Sequence, residues 1–308
     1  MPEQLEAIYG EVSNREAAEL LNRAWPRPAM EYSEAYIDWQ MNFPGAGRIM
    51  GIRSGGALVA MGADTPRRMS LGTEVLQVRI VSFIAVDPAW RGQGLAEEVY
   101  RGLLEGIQEP VLTFAMEASA GQRLIEKMYP KMGFQLQRVA SCPVMGKLPQ
   151  GAQSEWEVKE RELGLWVEAG AKDVLMAAPN EVEQEHWMRD PRRCCLMRLK
   201  NRRTGEEAAA AVAVSRVLQA SGEVTESVTV EWVAAEHGAL EGLGALADWA
   251  AHWYGKPGAV KAANLSCWSR EELRLQGWRQ ISGGFSVWVA APKGLGLPVI
   301  SAALGAVT

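Results

Sequence analysis

A short glycine-containing segment, residues 91–96, has the residue types and the position of a phosphate-binding turn. Its sequence is Arg-Gly-Gln-Gly-Leu-Ala, and it lies between an apolar, β-branched run at residues 78–86 and a stretch with apolar side chains at helical spacing. Such a turn aims backbone N–H groups and the positive end of the helix dipole at one point. Glycine allows a close approach because it has no Cβ. The segment therefore predicts either a pyrophosphate site or an ordinary strand-to-helix turn.

Two common phosphate-binding motifs are excluded by the residues around this turn. A dinucleotide motif needs a third glycine after Gly92 and Gly94, and Glu97 stands at that position. A nucleoside-triphosphate loop needs Gly-Lys followed by Ser or Thr, and the chain has no such sequence. What remains is an Arg-x-x-Gly-x-Ala pattern.

Together with a second block, this pattern resembles the acetyl-CoA motif of the GCN5-related N-acetyltransferases (GNAT). The first block is residues 86–96, and the second is residues 129–134, which have the Tyr-x-x-x-Gly-Phe arrangement of that family. A strand at 111–116 and a helix at 120–128 are predicted between them. The resemblance covers residues 5–147 and implies a GNAT fold, an α/β architecture built around a mixed sheet.

The resemblance implies that the chain binds acetyl-CoA as a co-substrate. In the family, a central strand parts from its neighbour and its backbone binds the pantetheine arm; the matching residues here are Ile84, Ala85 and Val86. The pyrophosphate would bind the backbone amides of the turn, which are those of Arg91, Gly92, Gln93, Gly94, Leu95, Ala96 and Glu97. Backbone atoms make these contacts, so the identity of the side chains matters little.

Tyr129 is the candidate general acid. Acyl transfer from a thioester to an amine needs a positioned thioester, a deprotonated amine, a stabilised oxyanion and a proton for the leaving thiolate. A phenol with a pKa of about 10 is protonated at neutral pH and can supply that proton. A tyrosine at the end of a helix is more often a core residue, so the catalytic interpretation depends on the family motif around Tyr129.

The candidate general base is Glu117, which directly follows the predicted strand on the side where the acceptor would enter. The carboxylates of Glu31, Glu34 and Asp64 are rivals. A carboxylate at the end of a strand is commonly just solvated, and many enzymes of this family use a water relay. The C-terminal carboxylate at Thr308 is a further alternative, since the apolar tail before it must be buried somewhere.

Patterns along the first half predict the element order β-α-α-β-β-β-α-β-α-β. Residues 5–9 predict a strand, and Ser13 to Glu16 form a capping box that starts a helix. A second helix is predicted at residues 32–41, and Ser54-Gly-Gly56 predicts a hairpin turn. The resemblance implies the same order.

The second half weakly repeats this plan. Residues 148–154 form a polar Pro/Gly linker, which predicts one domain at 1–148 and another at 154–308. No Arg-x-x-Gly-x-Gly/Ala pattern follows the strand near Val233, and residues 275–278 resemble an eroded Tyr-x-x-x-Gly-Phe block. We therefore predict two GNAT-like domains in tandem, the second degenerate and non-catalytic; an unrelated α+β domain is the alternative. Its strands are predicted at 194–199, 208–217, 228–233 and 283–289, and a helix at 243–253.

Composition and charge narrow the class of protein. The chain has 308 residues and a formal net charge of -5, which argues against a nucleic-acid surface. The four cysteines and three histidines lack metal-ligand spacing, so no metal site is expected. The acidic N-terminus lacks the apolar core of a signal peptide, and no apolar stretch is long enough to span a membrane. We expect a cytoplasmic protein without nucleic-acid or membrane partners; its oligomeric state leaves no signature in the sequence.

The resemblance implies an N-acetyltransferase that moves an acetyl group from acetyl-CoA to the amine of a small-molecule acceptor in a ternary complex. The alternative is a non-catalytic acyl-CoA-binding or regulatory protein on the same fold. Transfer of a longer acyl chain is a third hypothesis, because a tunnel for such a chain has no sequence signature. The acceptor would contact the helices between Ser13 and Met41, the turns at residues 64–71 and the second half.

Overall fold

One mixed β-sheet runs through the part of the chain that the structure describes. The structure is a computed structural model, and it describes residues 5–45, 47–71, 74–149, 155–160, 175–177, 179–235, 240–255, 258, 260–262 and 270–295. Within these residues the sheet has 14 strands. The mixed α/β class predicted for the chain is therefore confirmed.

The first half follows the predicted element order, with one addition. A two-residue strand, β2, is inserted between the first two helices. The strands are β1 (Leu5–Tyr9), β2 (Ala29–Met30), β3 (Arg48–Ser54), β4 (Ala57–Leu71), β5 (Glu74–Val86), β6 (Val111–Met116) and β7 (Phe134–Lys147). The helices are α1 (Asn14–Ala24), α2 (Glu34–Met41), α3 (Leu95–Leu104) and α4 (Ala120–Lys131).

Two of the predicted turn and cap signals are found where the sequence indicates them. The side chains of Ser13 and Glu16 form the capping box at the start of α1. The hairpin between β3 and β4 turns through Gly55 and Gly56, with φ of 54° and 85°, which glycine adopts without strain.

The second half contains each strand and helix that its sequence predicts among the described residues. Its strands are β8 (Trp156–Glu160), β9 (Leu175–Ala177), β10 (Cys195–Asn201), β11 (Glu207–Leu218), β12 (Val224–Ala235), β13 (Val260–Ala262) and β14 (Arg279–Pro292). Its helices are α5 (Glu181–Trp187), α6 (Leu240–Trp253) and α7 (Arg270–Leu275). Residues 150–154 of the predicted linker and residues 236–239, where the second half lacks the glycine pattern, lie outside the described residues.

The closing strands of the two halves are exchanged. The strand order is β1-β3-β4-β5-β6-β14-β7-β13-β12-β11-β10-β8. Strand β14 of the second half lies between β6 and β7 of the first half and pairs antiparallel with both. Strand β7 in turn pairs at residues 145–147 with β13 of the second half. Each half therefore supplies a strand that extends the sheet of the other.

The helices of the first half cover opposite faces of the sheet. Helices α1 and α2 pack on one face, called here the α1–α2 face, against a cluster that includes Met61 and Ala85. Helices α3 and α4 pack on the other, the α3–α4 face, in a cluster that includes Val81 and Tyr129. The second cluster also contains Trp288 of β14, which is 2% exposed, so a residue of the second half fills the core of the first.

We expect Trp288→Ala to destabilise the protein by about 3–5 kcal/mol, because it leaves a cavity in a core shared by both halves. Urea unfolding followed by circular dichroism measures this difference. The matched control is Trp253→Ala, since Trp253 is 54% exposed and stacks on Trp249 alone among the described rings. It should cost about 1 kcal/mol or less. Equal losses for the two variants would contradict a shared core.

Candidate functional site

Strands β5 and β6 part after a short paired stretch. They pair in parallel at three positions, and the last of these sets Val81 beside Thr113. Beyond Val81, β5 continues with β4 as its only partner among the described strands. Backbone N–H and C=O groups need hydrogen-bond partners, so this free edge is suited to an extended ligand with amide groups. The three residues matched to the pantetheine arm lie on it: Ile84, Ala85 and Val86.

The point where the strands part is held by a side chain. The hydroxyl of Thr113 donates a hydrogen bond of 3.3 Å to the backbone carbonyl of Val81, and both residues are 1% exposed. We call this point the vertex of the opening. Because the bond ties β6 to β5 at the last paired position, the opening begins at a defined place.

A β-bulge directs the end of β5 away from β6. The register between β4 and β5 shifts between Met61 and Ala63, opposite Phe83 and Ile84. Phe83 has φ of 57°, a left-handed conformation that is rare for a bulky side chain. A bulge bends its strand and increases the local twist. The strained backbone at Phe83 therefore lies where the opening forms.

The turn predicted to bind the pyrophosphate presents unpaired amides. Among the described residues, the backbone N–H groups of the five residues from Gly92 to Ala96 have no hydrogen-bond partner. Gly94 is the N-cap of α3 and has no side chain to satisfy the first turn of the helix. The turn therefore combines free donors with the positive end of the helix dipole.

The two glycines of the turn are required by backbone conformation. Gly92 and Gly94 both have φ of 80°, in the left-handed region. A Cβ at either position would meet nothing within 4 Å, so the space above the turn is open. The chain can follow this path only with residues that tolerate positive φ.

Side chains fix the turn to the end of α1. The Arg91 guanidinium donates to the carbonyl of Ala24, so this side chain faces the protein and only its amide is available to a ligand. Arg23 forms an ion pair of 2.7 Å with Asp87, whose carboxylate also accepts from the amide of Ala89. Asp87 has its pKa lowered, chiefly by the hydrogen bond from Arg23.

An acidic residue at the start of α3 forms ion pairs with two lysines of α4. Glu97 forms ion pairs with Lys127 and, at 3.7 Å, with Lys131. The hydrogen bond from Lys127 is the main cause that lowers the pKa of Glu97. Without these lysines, a carboxylate in the first turn would repel a phosphate group near the amides.

Tyr129 lies in the core of the α3–α4 face. Its ring is 0% exposed and makes edge contacts with Tyr100 and Phe134, at centroid distances of 5.9 Å and 5.8 Å. Among the described residues no group is in hydrogen-bonding geometry with its hydroxyl. Burial raises the pKa of Tyr129 well above its usual value, and the nearby Thr113 hydroxyl partly opposes this rise. The side chain is thus a protonated phenol close to the vertex.

Glu117 follows β6 as predicted, and its side chain is held by β7. One carboxylate oxygen, Oε1, accepts from Arg138 at 2.7 Å and from the hydroxyl of Ser141. Its backbone N–H donates to the carbonyl of Gly284 on β14. The role of Glu117 as general base stays a prediction.

Two of the rival carboxylates, Asp64 and Glu31, also form ion pairs. Asp64 is 0% exposed and lies between Arg48 at 2.7 Å and Arg79 at 3.2 Å, although burial raises its pKa overall. Glu31 pairs with Arg216 of the second half. Glu34 lies in the first turn of α2. The predicted alternative at Thr308 lies outside the described residues.

Several features of the site have no signature in local sequence patterns. The Thr113 hydroxyl and the bulge at Phe83 depend on strand register, which local patterns do not report. Lys127 and Lys131 could have been found, because their i,i+4 spacing sets both on one side of α4, facing the start of α3.

The described part of the chain contains neither a metal-binding cluster nor a helix that could span a membrane. There, no three His, Cys, Asp or Glu side chains are grouped so that they could hold a metal ion. No described helix has both the length and the apolar character needed to cross a bilayer. Cys194 and Cys195 are free thiols, and burial raises the pKa of Cys194 well above its usual value.

Several solved structures have a fold similar to that of the whole chain. N-myristoyltransferase of Saccharomyces cerevisiae with bound myristoyl-CoA superimposes with a TM-score of 0.62 at 12% identity, over 100% of this chain and 90% of that one. A tandem GNAT protein from the clavulanic acid biosynthesis pathway gives 0.60 at 12% identity, over 96% of this chain and 100% of that one. A GCN5-related N-acetyltransferase from Anabaena variabilis gives 0.53 at 12% identity, over 92% and 72%. At these identities the likeness concerns the fold.

A family model gives the more specific relationship. The acetyltransferase (GNAT) domain model matches residues 11–136, which include the opening, the turn and Tyr129. No curated protein sequence matches the chain. The match to the acetyltransferase (GNAT) domain therefore lies in the first half of the chain.

Proposed function

We propose that the protein transfers an acetyl group from acetyl-CoA to the amine of a small-molecule acceptor, with catalysis in residues 1–148. One observation carries the proposal: among the described residues, the five consecutive amides from Gly92 to Ala96 are unpaired and follow, after a short turn, a strand whose other edge is unpaired at residues 84–86. A ligand with a pyrophosphate joined to an amide-containing arm satisfies both sets of groups. Acetyl-CoA has this composition.

The ligand would be bound through backbone atoms along one path. The amides of residues 91–97 would hold the pyrophosphate, and the free edge of β5 would hold the pantetheine arm as a strand. This path leads from the turn toward the vertex at Val81 and Thr113, where the thioester would lie near Tyr129. The anchors to α1 keep the amides in position before the ligand arrives, which lowers the entropy cost of binding.

In the reaction, the amine nitrogen forms a bond to the thioester carbon and the carbon–sulfur bond breaks. The phenol of Tyr129 would give its proton to the leaving thiolate, since burial keeps the phenol protonated. The amine loses its proton to a base, for which Glu117, directly or through water, is the proposed acceptor. Thr113 would hold the vertex in place rather than take part in the chemistry.

We further propose that residues 154–308 form a degenerate GNAT-like domain that has lost catalysis. Among the described residues, strand β12 pairs in parallel with β13 at two positions, 229–230, much as β5 pairs in parallel with β6 at three. The sequence after β12 lacks the arginine and glycine pattern of the turn. In this proposal the second half acts by supplying β14 to the first.

Titration calorimetry with acetyl-CoA, followed by a thiol-release assay with a panel of amines, tests the proposed function. We expect binding with micromolar affinity and release of CoA with at least one amine. Binding without release for any amine would favour a non-catalytic acyl-CoA-binding protein. Absence of binding at millimolar acetyl-CoA would contradict both.

We expect Gly94→Ala to weaken acetyl-CoA binding about tenfold or more, because a Cβ disfavours φ of 80° and the amides would lose their common direction. Calorimetry measures the change. The matched control is Gly106→Ala, since Gly106 also has a positive φ, 74°, and open space around it but lies beyond the other end of α3. Similar losses of affinity in both variants would show a general backbone effect and contradict the turn as the binding site.

We expect Tyr129→Phe to lower kcat about 100-fold and to leave the affinity for acetyl-CoA nearly unchanged, because it removes a proton donor and keeps the ring. The control is Tyr100→Phe, which removes a hydroxyl from a neighbouring buried tyrosine in the same cluster. Steady-state kinetics at saturating acetyl-CoA measure kcat for the two variants. A Tyr129→Phe enzyme with the kcat of the Tyr100→Phe control would exclude Tyr129 as the acid.

The pH dependence of kcat gives a second measure of this role. A general acid must be protonated, and burial raises the pKa of Tyr129 above its usual value of about 10. Tyr129 should therefore cause no fall in kcat below about pH 10. An alkaline decline centred near pH 8 that disappears in Tyr129→Phe would contradict the raised pKa.

A further inference from the structure

We propose that the acceptor is a primary amine carried on an aromatic body, held by four half-buried aromatic rings where β5 and β6 part. This inference rests on the proposed function and names the substrate class of the same site. The rings belong to Tyr32, Phe83, Phe114 and Phe285. We call this group the ring cluster.

The ring cluster draws on four separate elements. Tyr32 lies between β2 and α2, Phe83 on β5, Phe114 on β6 and Phe285 on β14 of the second half. Tyr32 meets Phe83 edge to face at a centroid distance of 5.8 Å, and Phe114 meets Phe285 in the same way at 6.4 Å. Each side of the opening therefore carries one pair of rings.

Both pairs lie on the α1–α2 face. Phe83 packs against the cluster that contains Ala63, and Phe114 packs against the cluster that contains Met69. Ala63 and Met69 are six residues apart on β4 in continuous register with β5, so their side chains point to the same face. Phe83 is the second residue of β5 after Val81, and Phe114 is the first residue of β6 after Thr113. The rings thus flank the vertex on one side of the sheet.

The acceptor must approach from this face if the proposed function holds. The turn that would hold the pyrophosphate leads into α3, which packs on the α3–α4 face. The thioester would then reach the opening from that side and fill it. An amine that attacks the thioester carbon would then approach from the α1–α2 face, where the ring cluster lies.

Among the described residues, the charged groups on the Tyr32 side of the ring cluster leave one carboxylate in excess. Arg192, whose guanidinium lies 4.6 Å from the centroid of the Tyr36 ring, pairs with Asp190 at 2.7 Å and with Glu231 at 3.2 Å. Glu31 pairs with Arg216. A polycationic acceptor needs carboxylates in excess, and an anionic acceptor needs guanidinium or ammonium groups in excess. One excess carboxylate suits an acceptor with a single ammonium group rather than a polycation, and aromatic faces attract both aromatic rings and ammonium groups.

The second half holds the ring cluster in place. Strand β2, directly before Glu31, pairs with β11, and the amide of Glu31 donates to the carbonyl of Arg216 at 2.8 Å. Phe285 lies on β14, between β6 and β7. Both the Tyr32 side and the Phe285 side of the cluster therefore depend on strand pairs with the second half, which lowers the cost of ordering them on binding.

Three amines of matched design test the proposal with the full-length protein: 2-phenylethylamine, 2-cyclohexylethylamine and spermidine. The first two share length and apolar character but differ in aromaticity, and the third is a polycation. We expect kcat/KM for 2-phenylethylamine to exceed the values for the other two by at least tenfold in the thiol-release assay. Saturation-transfer NMR with 2-phenylethylamine and CoA gives a readout of binding that does not need turnover.

Two variants tie the preference to the ring cluster. Phe114→Leu and Phe285→Leu should each raise KM for 2-phenylethylamine three- to tenfold, with kcat and the affinity for acetyl-CoA nearly unchanged. The control is Tyr9→Leu, because Tyr9 is 60% exposed on β1, at the edge of the sheet. It should leave all these constants unchanged.

The outcomes separate this proposal from the proposed function. Acetyl-CoA binding with equal or better turnover of 2-cyclohexylethylamine or spermidine would overturn the aromatic acceptor and leave acetyl transfer intact. The aromatic acceptor would also be overturned if the protein binds acetyl-CoA but neither acetylates 2-phenylethylamine nor binds it in the NMR experiment. Failure to bind acetyl-CoA would instead remove the proposed function on which this inference rests.

Discussion

The rest of the site depends on one constraint, which is that β5 and β6 part while each keeps a strand on its other edge. A strand with both edges free would leave buried N–H and C=O groups unpaired, and this is costly. Here β4 satisfies the outer edge of β5, and β14 satisfies the outer edge of β6. The bulge at Phe83 bends β5 away, and the Thr113 hydroxyl ends the separation at a fixed point. An opening in a buried sheet is stable because its two sides are separately supported.

The two faces of the sheet at the opening are supported by different parts of the chain. On the α3–α4 face, the turn at residues 91–97 is attached to α1 by Arg91 and by the Arg23–Asp87 ion pair, all within the first half. On the α1–α2 face, the walls at Tyr32 and Phe285 are held by strands of the second half. The first half therefore carries the groups for the nucleotide ligand, and the second half contributes to the shape of the opposite side.

The sequence predicted the local elements and the backbone turn well, because both are encoded within short stretches. The glycines at 92 and 94, the capping box at Ser13 and the buried run of β5 each follow from neighbouring residues. The insertion of β14 between β6 and β7 joins residues far apart in the chain, and no local periodicity reports it. Tyr129 was identified through its motif, whereas its burial and its unpaired hydroxyl depend on α3 packing above it.

The exchange of closing strands has a consequence for synthesis on the ribosome. The first half contains the family motifs, yet its sheet and its core stay incomplete until β14, which begins at Arg279, has left the exit tunnel. Until then the edges of β6 and β7 that will receive β14 are unpaired, and such edges are prone to wrong pairing with other chains. Pairings so distant in sequence also form slowly. These edges of the nascent chain therefore stay open to wrong pairing until β14, which ends at Pro292, has been made.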